Sequence, residues 1–143
     1  MRFQFESDLS HQHAAIEAVC DLFLGQEVNT SAFTISPVQI AGQLALAEKT
    51  IGYGNRLTLL PDEILANLNA VQDRNALPCD TEVRTMDFTV EMETGTGKTY
   101  VYLRSIFELN KRFGFTKFVI IVPSVAIREG VKKSIEQMRD HFR

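Results

Sequence analysis

The chain has no tryptophan and, in 143 residues, only two cysteines, three histidines and four prolines. Cys20 and Cys79 lie far apart without metal-like spacing, and three histidines are too few to complete a zinc site with them. Free buried thiols in a reducing cytosol are the expectation, and with them a cytoplasmic location. No apolar stretch approaches the roughly 20 residues that span a bilayer, and Met1–Glu6 carries no signal-peptide core, so no membrane role is expected. No internal repeat or low-complexity tract is present. A net charge of −3 marks neither a strongly basic nor a strongly acidic partner. The length allows one compact core, or a core with an appendage.

Charge is uneven along the chain. Residues 1–82 hold four basic and eleven acidic side chains, a net of −7, and residues 83–143 hold eleven basic and seven acidic, a net of +4. The positive half suits an anionic polymer such as nucleic acid, and suits a solvated helix face equally well.

That half also holds the run richest in chemistry, Thr94-Gly95-Thr96-Gly97-Lys98-Thr99. Its glycines let the backbone wrap a polyphosphate with successive N–H groups turned inward, and a following helix would add the positive end of its dipole. Lys98 would then reach the β- and γ-phosphates, and the Thr99 hydroxyl would help hold Mg²⁺. The plain alternative is a Gly-rich turn that happens to contain Lys-Thr. The flanks favour the phosphate loop. From Thr85 to Met92, Met86, Phe88, Val90 and Met92 alternate with Asp87, Thr89 and Glu91, the pattern of a strand. After the loop, Val101, Leu103, Ile106, Phe107 and Leu109 recur at helical spacing, Lys111 and Arg112 fall in the last turn, and Gly114 is the stop. Phe118–Val122 is a continuous apolar run suited to a strand buried on both faces. Ser124 can cap a further helix carrying Val125, Ile127, Val131, Ile135 and Met138. Strand, loop, helix, strand, helix predicts a parallel βαβα unit, hence an α/β fold. Asp87 and Glu91 fit this poorly, because strands before such loops are usually apolar on both faces.

A strict Walker loop begins with Gly, and Met92 stands at that position. Helicase-like motors tolerate a larger residue there, whereas small kinases and GTPases usually keep Gly. Leu59-Leu60-Pro61-Asp62-Glu63 imitates the acidic box that completes a motor's metal site. The proline argues against a buried strand, and acids in a first helical turn are explained by the helix dipole, so it is rejected as catalytic.

Ahead of the loop the chain reads as mainly helical over residues 1–82. Ser10 suits a helix cap, with Ala15, Ile16, Val19, Leu22 and Phe23 as the buried stripe to about Leu24. Gly25 to Thr34 reads as loop, and Ser36-Pro37 starts a second helix through Ala45. Pro61-Asp62-Glu63 opens a third bearing Ile64, Leu65, Leu68 and Val71, and Asn75 to Asp80 reads as linker.

Two stretches together carry a family likeness. Val90-Glu91-Met92-Glu93-Thr94-Gly95-Thr96-Gly97-Lys98-Thr99, followed by Ile120-Ile121-Val122-Pro123-Ser124-Val125-Ala126-Ile127-Arg128-Glu129-Gly130, resembles the superfamily 2 helicase core. More narrowly it resembles the Res subunit of type III restriction–modification enzymes. The likeness covers about Met86–Glu136, with a weaker match near residues 3–25. It implies a partial RecA-like motor domain with parallel strands over 83–143, preceded by the mainly helical 1–82. It further implies ATP and Mg²⁺ as cofactors, double-stranded DNA and a methyltransferase (modification) subunit as partners, and an ATP-driven DNA translocase and endonuclease as the whole. Lys98 and Thr99 would serve phosphate and Mg²⁺. Gln12 is similar to the family's adenine-reading glutamine, against which stands a solvent-exposed residue near a helix start. Pro123-Ser124 resembles a DNA-contacting motif extended by Arg128, Lys132 and Lys133, and a bare helix cap on a solvated face would look the same.

Such motors also need an Asp-Glu box and arginines from a second lobe. After Lys98 the acids are Glu108, Glu129, Glu136 and Asp140 alone, and none matches the box. The expectation is an N-terminal part of a larger subunit that binds nucleotide and hydrolyses it poorly alone. A nucleotide- or partner-binding module without turnover, or a P-loop phosphotransferase of another class, are the rivals.

Overall fold

The computed structural model describes residues 9–28, 33–35, 51–53 and 55–138. Helix α1 (Ser10–Asp21) is followed by strands β1 (Phe33–Ile35) and β2 (Ile51–Tyr53), and then by helices α2 (Pro61–Arg74), α3 (Lys98–Phe113) and α4 (Val125–Met138). The helix expected from Ser36-Pro37 lies outside the described residues. β1 and β2 pair antiparallel with Phe33 opposite Tyr53, so the loop expected to run through Thr34 contains a short strand.

The parallel α/β reading is corrected. Among the described residues the only ladder is β1–β2, and neither Thr85–Met92 nor Phe118–Val122 forms a strand. A strand exists only when a second backbone supplies its hydrogen bonds, and periodicity within one segment cannot guarantee that partner. In the first stretch the expected apolar face is split: Phe88 and Met92 are half-buried while Met86 and Val90 are exposed. Phe118 and Val122 are half-buried, yet Val119 and Ile121 are 85% and 89% exposed. What borders the second stretch is a side chain. Asn55 Oδ1 accepts from the Thr116 and Lys117 N–H groups at 2.8 and 3.1 Å, and its Nδ2 donates to the Lys117 carbonyl at 2.6 Å. The polar residues Asp87 and Glu91 that fitted a central strand poorly are both exposed.

The helices form where periodicity put them. α1 and α3 face one another over a core of Ile16, Cys20, Val101, Leu109, Phe113 and Phe115, with Phe23, Met92 and Phe118 packed against it. Phe23 stacks edge-on against Phe115 with centroids 5.4 Å apart and lies 6.1 Å from Phe113, so three rings close one end of the core. Gly114 stops α3 in the left-handed conformation at φ 71, its N–H donating to the Asn110 carbonyl. Ser10 is the first helical residue of α1 rather than its cap, and Leu9 contributes its carbonyl, which accepts from Gln12 and His13. At the other end Asp21 opposes the helix dipole. Arg74 of α2 offsets it at 2.8 Å, and Asn67 of α2 donates to the Leu22 and Leu24 carbonyls that α1 leaves over. α2 begins as expected, with proline in its first turn and Glu63 reaching back to the Leu60 N–H at 2.8 Å. That places Leu59–Glu63 at a helix start and not in a catalytic strand. Cys20 is buried and free as expected, whereas Cys79 is free but exposed. Burial pushes the Cys20 thiol up to about 11. No helix among the described residues is long and apolar enough to cross a membrane.

Candidate phosphate-binding site

The Thr94–Thr99 loop leads straight into α3. Gly95 and Gly97 take φ 85 and 88, left-handed values that cost a side-chain-bearing residue about 1–2 kcal/mol. Gly97 is the cap residue of α3 and, having no side chain, supplies no cap hydrogen bond. The first N–H groups of a helix have no partner inside it, and a helix start without a side-chain cap is a place where an anion can bind. The Thr96 hydroxyl ties the loop to itself, donating to the Glu93 carbonyl at 2.7 Å. Lys98 is exposed and Thr99 half-buried, and no described residue bonds either side chain.

The loop is held from far away in sequence. Gln12 Nε2 donates to the Thr96 carbonyl at 2.9 Å, and His11 Nε2 lies 3.2 Å from the same oxygen, donating when that nitrogen carries the proton. Gln12 is buried, so it is not the solvent-exposed residue the sequence left open as an alternative. A Cβ at Gly97 would collide with the Gln12 amide nitrogen, giving that glycine a steric reason beyond its φ. A cavity of about 1250 Å³ opens beside the loop, walled by Ala14, Ala15 and Ala18 of α1 with the following Leu22, by Leu68 and Val71 of α2, and by the segment leading up to Glu93 and Thr96. His11 lines it as well; Lys98 and Thr99 do not.

Beyond Gln12, α1 and α3 are joined by charge. Arg112 Nη1 and Nη2 donate to the two Glu17 oxygens at 2.7 and 2.5 Å, and its Nε donates to Glu108 at 3.1 Å. Arg104 pairs with the same Glu108 at 2.8 Å. The Arg112 guanidinium holds the Glu17 carboxyl below the usual carboxylate range, and Glu17 in turn raises Arg112. Nothing in the sequence singled out this network, because Glu17 and Arg112 are ordinary helix-surface residues until the two helices are laid together. His11 was missed for the same reason; its one clue is adjacency to Gln12.

The other predicted site residues lie at α4. Ser124 Oγ accepts from the Ile127 N–H at 3.3 Å, and its carbonyl accepts from Arg128, which makes it a helix cap. Arg128 is exposed and paired with Glu129, whose carboxylate also takes Lys132 at 3.4 Å. No hydrogen bond or ion pair among the described residues joins Pro123–Arg128 to the loop. No group of three His, Cys, Asp or Glu that could hold a metal ion is found among the described residues.

The site is a glycine-capped helix start whose loop is held by a glutamine of a second helix. A family model described as "Type III restriction enzyme, res subunit" matches residues 9–142. The chain belongs to that family. It is 34% identical over 151 residues to the EcoPI Res subunit of Escherichia phage P1, an alignment covering 99% of this chain and 14% of that protein. It is 32% identical over 146 residues to the EcoP15I Res subunit of Escherichia coli, again covering 99% of the chain and 14% of the relative. A shorter match, 53% over 55 residues, covers 37% of the chain and 6% of the StyLTI Res subunit of Salmonella typhimurium (strain LT2). The chain thus spans about one seventh of the length of the first two relatives.

Proposed function

We propose that the chain forms the ATP-binding start of an ATP-dependent DNA translocase subunit in a type III restriction endonuclease. The observation that carries this is the entry into α3: a left-handed glycine cap that supplies no side-chain bond, and an exposed lysine at the first helical position. In this reading the N–H groups of Gly95–Lys98 and the Lys98 ammonium hold the polyphosphate, with Thr94 and Thr96 shaping the loop. The Thr99 hydroxyl is the protein's ligand to Mg²⁺, which when bound neutralises charge on the β- and γ-phosphates. Gln12 has a second amide hydrogen and its Oε1 beyond the bond to Thr96, enough for a two-point contact with an adenine edge. Pro123, Ser124 and Arg128 meet a DNA strand, with double-stranded DNA and a modification subunit as the partners of the whole assembly.

Hydrolysis needs an acid that positions Mg²⁺ and activates water. Glu108 is committed to Arg104 and Arg112, and Glu129 to Arg128 and Lys132. With those two acids engaged, we read these residues as binding nucleotide without turning it over. The test is titration of the chain with ATP and Mg²⁺ beside Lys98→Ala, with phosphate release followed in parallel. Lysine-dependent binding without release is expected. Binding that ignores Lys98 overturns the site, and lysine-dependent release overturns the binding-only reading of these residues.

A further inference from the structure

The Thr96–Gly97 peptide is anchored at one end. In a planar trans peptide the carbonyl and the N–H point in opposite directions. Because α1 holds the Thr96 oxygen through Gln12, and through His11 beside it, the Gly97 N–H is turned away from α1. Its direction therefore depends on where α1 lies against α3. The loop is covalently continuous with α3, and the Val101 N–H bonds the Gly97 carbonyl at 3.0 Å, so one side of the peptide moves with α3 and the other with α1.

Apolar packing presses the two helices together and is tolerant of small slides along their axes. Ile16 and Cys20 meet Val101, Leu109 and Phe113 through non-directional contacts. Directional contacts between α1 and α3 include the two Glu17–Arg112 hydrogen bonds, at 2.7 and 2.5 Å. A planar guanidinium gripping a carboxylate at two points fixes both distance and orientation. Arg112 is itself steadied by Glu108, four residues back on its own helix, and Glu108 by Arg104. Arg112 stands fourteen residues beyond Lys98, roughly 21 Å along the helix axis at about 1.5 Å per residue.

We propose that Glu17 and Arg112 are positioning residues for the phosphate loop: their two-point ion pair sets the register of α1 on α3, and thereby the direction of the Gly97 N–H. This rests on the phosphate-binding reading only for its effect on nucleotide, because the geometric effect exists without ligand. Neither residue bonds the loop: Arg112 stands in the last turn of α3, and Glu17 lies five residues beyond Gln12 on α1.

The test is a double-mutant cycle, Arg112→Gln, Glu17→Gln and the pair together, with Arg112→Lys added. Two readouts apply: the amide ¹⁵N shift and hydrogen exchange of Gly97 without nucleotide, and the Kd for Mg·ATP. Each single variant is expected to shift the Gly97 resonance, speed its exchange and weaken Mg·ATP by roughly threefold to tenfold, the range of a two-armed, partly exposed pair. The double variant should lose no more than Arg112→Gln alone, because that substitution already removes the Glu17 pair together with the Glu108 contact, whereas Glu17→Gln removes only the former. Lysine keeps the charge and loses the fork, so Arg112→Lys should recover less than half of the loss. Variants that lower the thermal midpoint but leave the Gly97 amide and the Kd unchanged would reduce the pair to a structural brace. A shifted Gly97 amide in a chain whose ATP binding ignores Lys98 would uphold the coupling and remove the phosphate reading instead.

Discussion

The starts of α3 and α4 are two answers to the same problem. Every helix leaves its first N–H groups without partners inside the helix. At α4 the chain supplies its own solution, as Ser124 Oγ accepts from Ile127 and every bond around Pro123–Arg128 is local. At α3 the cap is Gly97, no side chain fills the role, and the stabilising bonds come from α1, 84 residues away in sequence for Gln12. A self-capped helix is complete by itself. An uncapped one whose loop is braced from behind is built to accept something in front. On the proposed reading, the contrast separates a helix start left for a ligand from one that caps itself.

The sharpest way to break the comparison is at Lys98. Lys98→Ala is expected to weaken Mg·ATP by about a hundredfold, the loss of a charge-assisted contact to phosphate, with a thermal midpoint within a degree or two of the parent. Calorimetric titration and thermal unfolding check both halves. Next comes Gly97→Ala, which meets a left-handed φ of 88 and the Gln12 amide together. A loss of about tenfold in ATP affinity is expected, with about 1–2 kcal/mol of stability. If alanine is neutral in both, the loop does not keep this geometry in solution. Gln12→Ala should narrow the preference for ATP over GTP and weaken both by a few fold through the loop; an unchanged ratio limits Gln12 to bracing. At α4, Ser124→Ala should cost about 1 kcal/mol in urea unfolding, as cap removal does, and leave nucleotide Kd untouched. An effect on ATP binding at the isolated chain would mean the two helix starts are coupled after all.

The smallest effect is in pH. Glu17 is held below its ordinary 4.5 in the folded state, so its ion pair stabilises the fold above that value, and the contribution is lost as pH falls through the depressed folded value. Comparison of Glu17→Gln with the parent in acid unfolding should show a stability gap at pH 7 that closes below about pH 4.5. A gap of constant size down to pH 3 would place the pair's worth in packing instead of charge.

How much of this could be read in advance varies with how far the bonds reach. Helix α3 was readable end to end, because its apolar spacing, Lys111-Arg112 and Gly114 are all local signals. So were α2, from Pro61 and Glu63, and the Ser124 cap. Val119 and Ile121 taught the opposite lesson. Their apolar run has the composition of a buried strand, but strand formation requires another backbone alongside, and what borders its start is the Asn55 amide. Gln12 stood between. Its residue type and place near a helix start were visible, while its burial and its grip on Thr96 depended on how α1 crosses the loop.

By itself the sequence determined the helices, the left-handed glycines of the loop, the lysine that follows them and the family to which the chain belongs. All of these depend on torsional preference and on neighbours within a few residues. Only the tertiary structure decided which extended segments find partners, that Glu17 and Arg112 meet, and that one carbonyl of the loop is held by α1. Those are contacts between distant segments, and their geometry follows from the packing of α1 on α3 and from no local pattern.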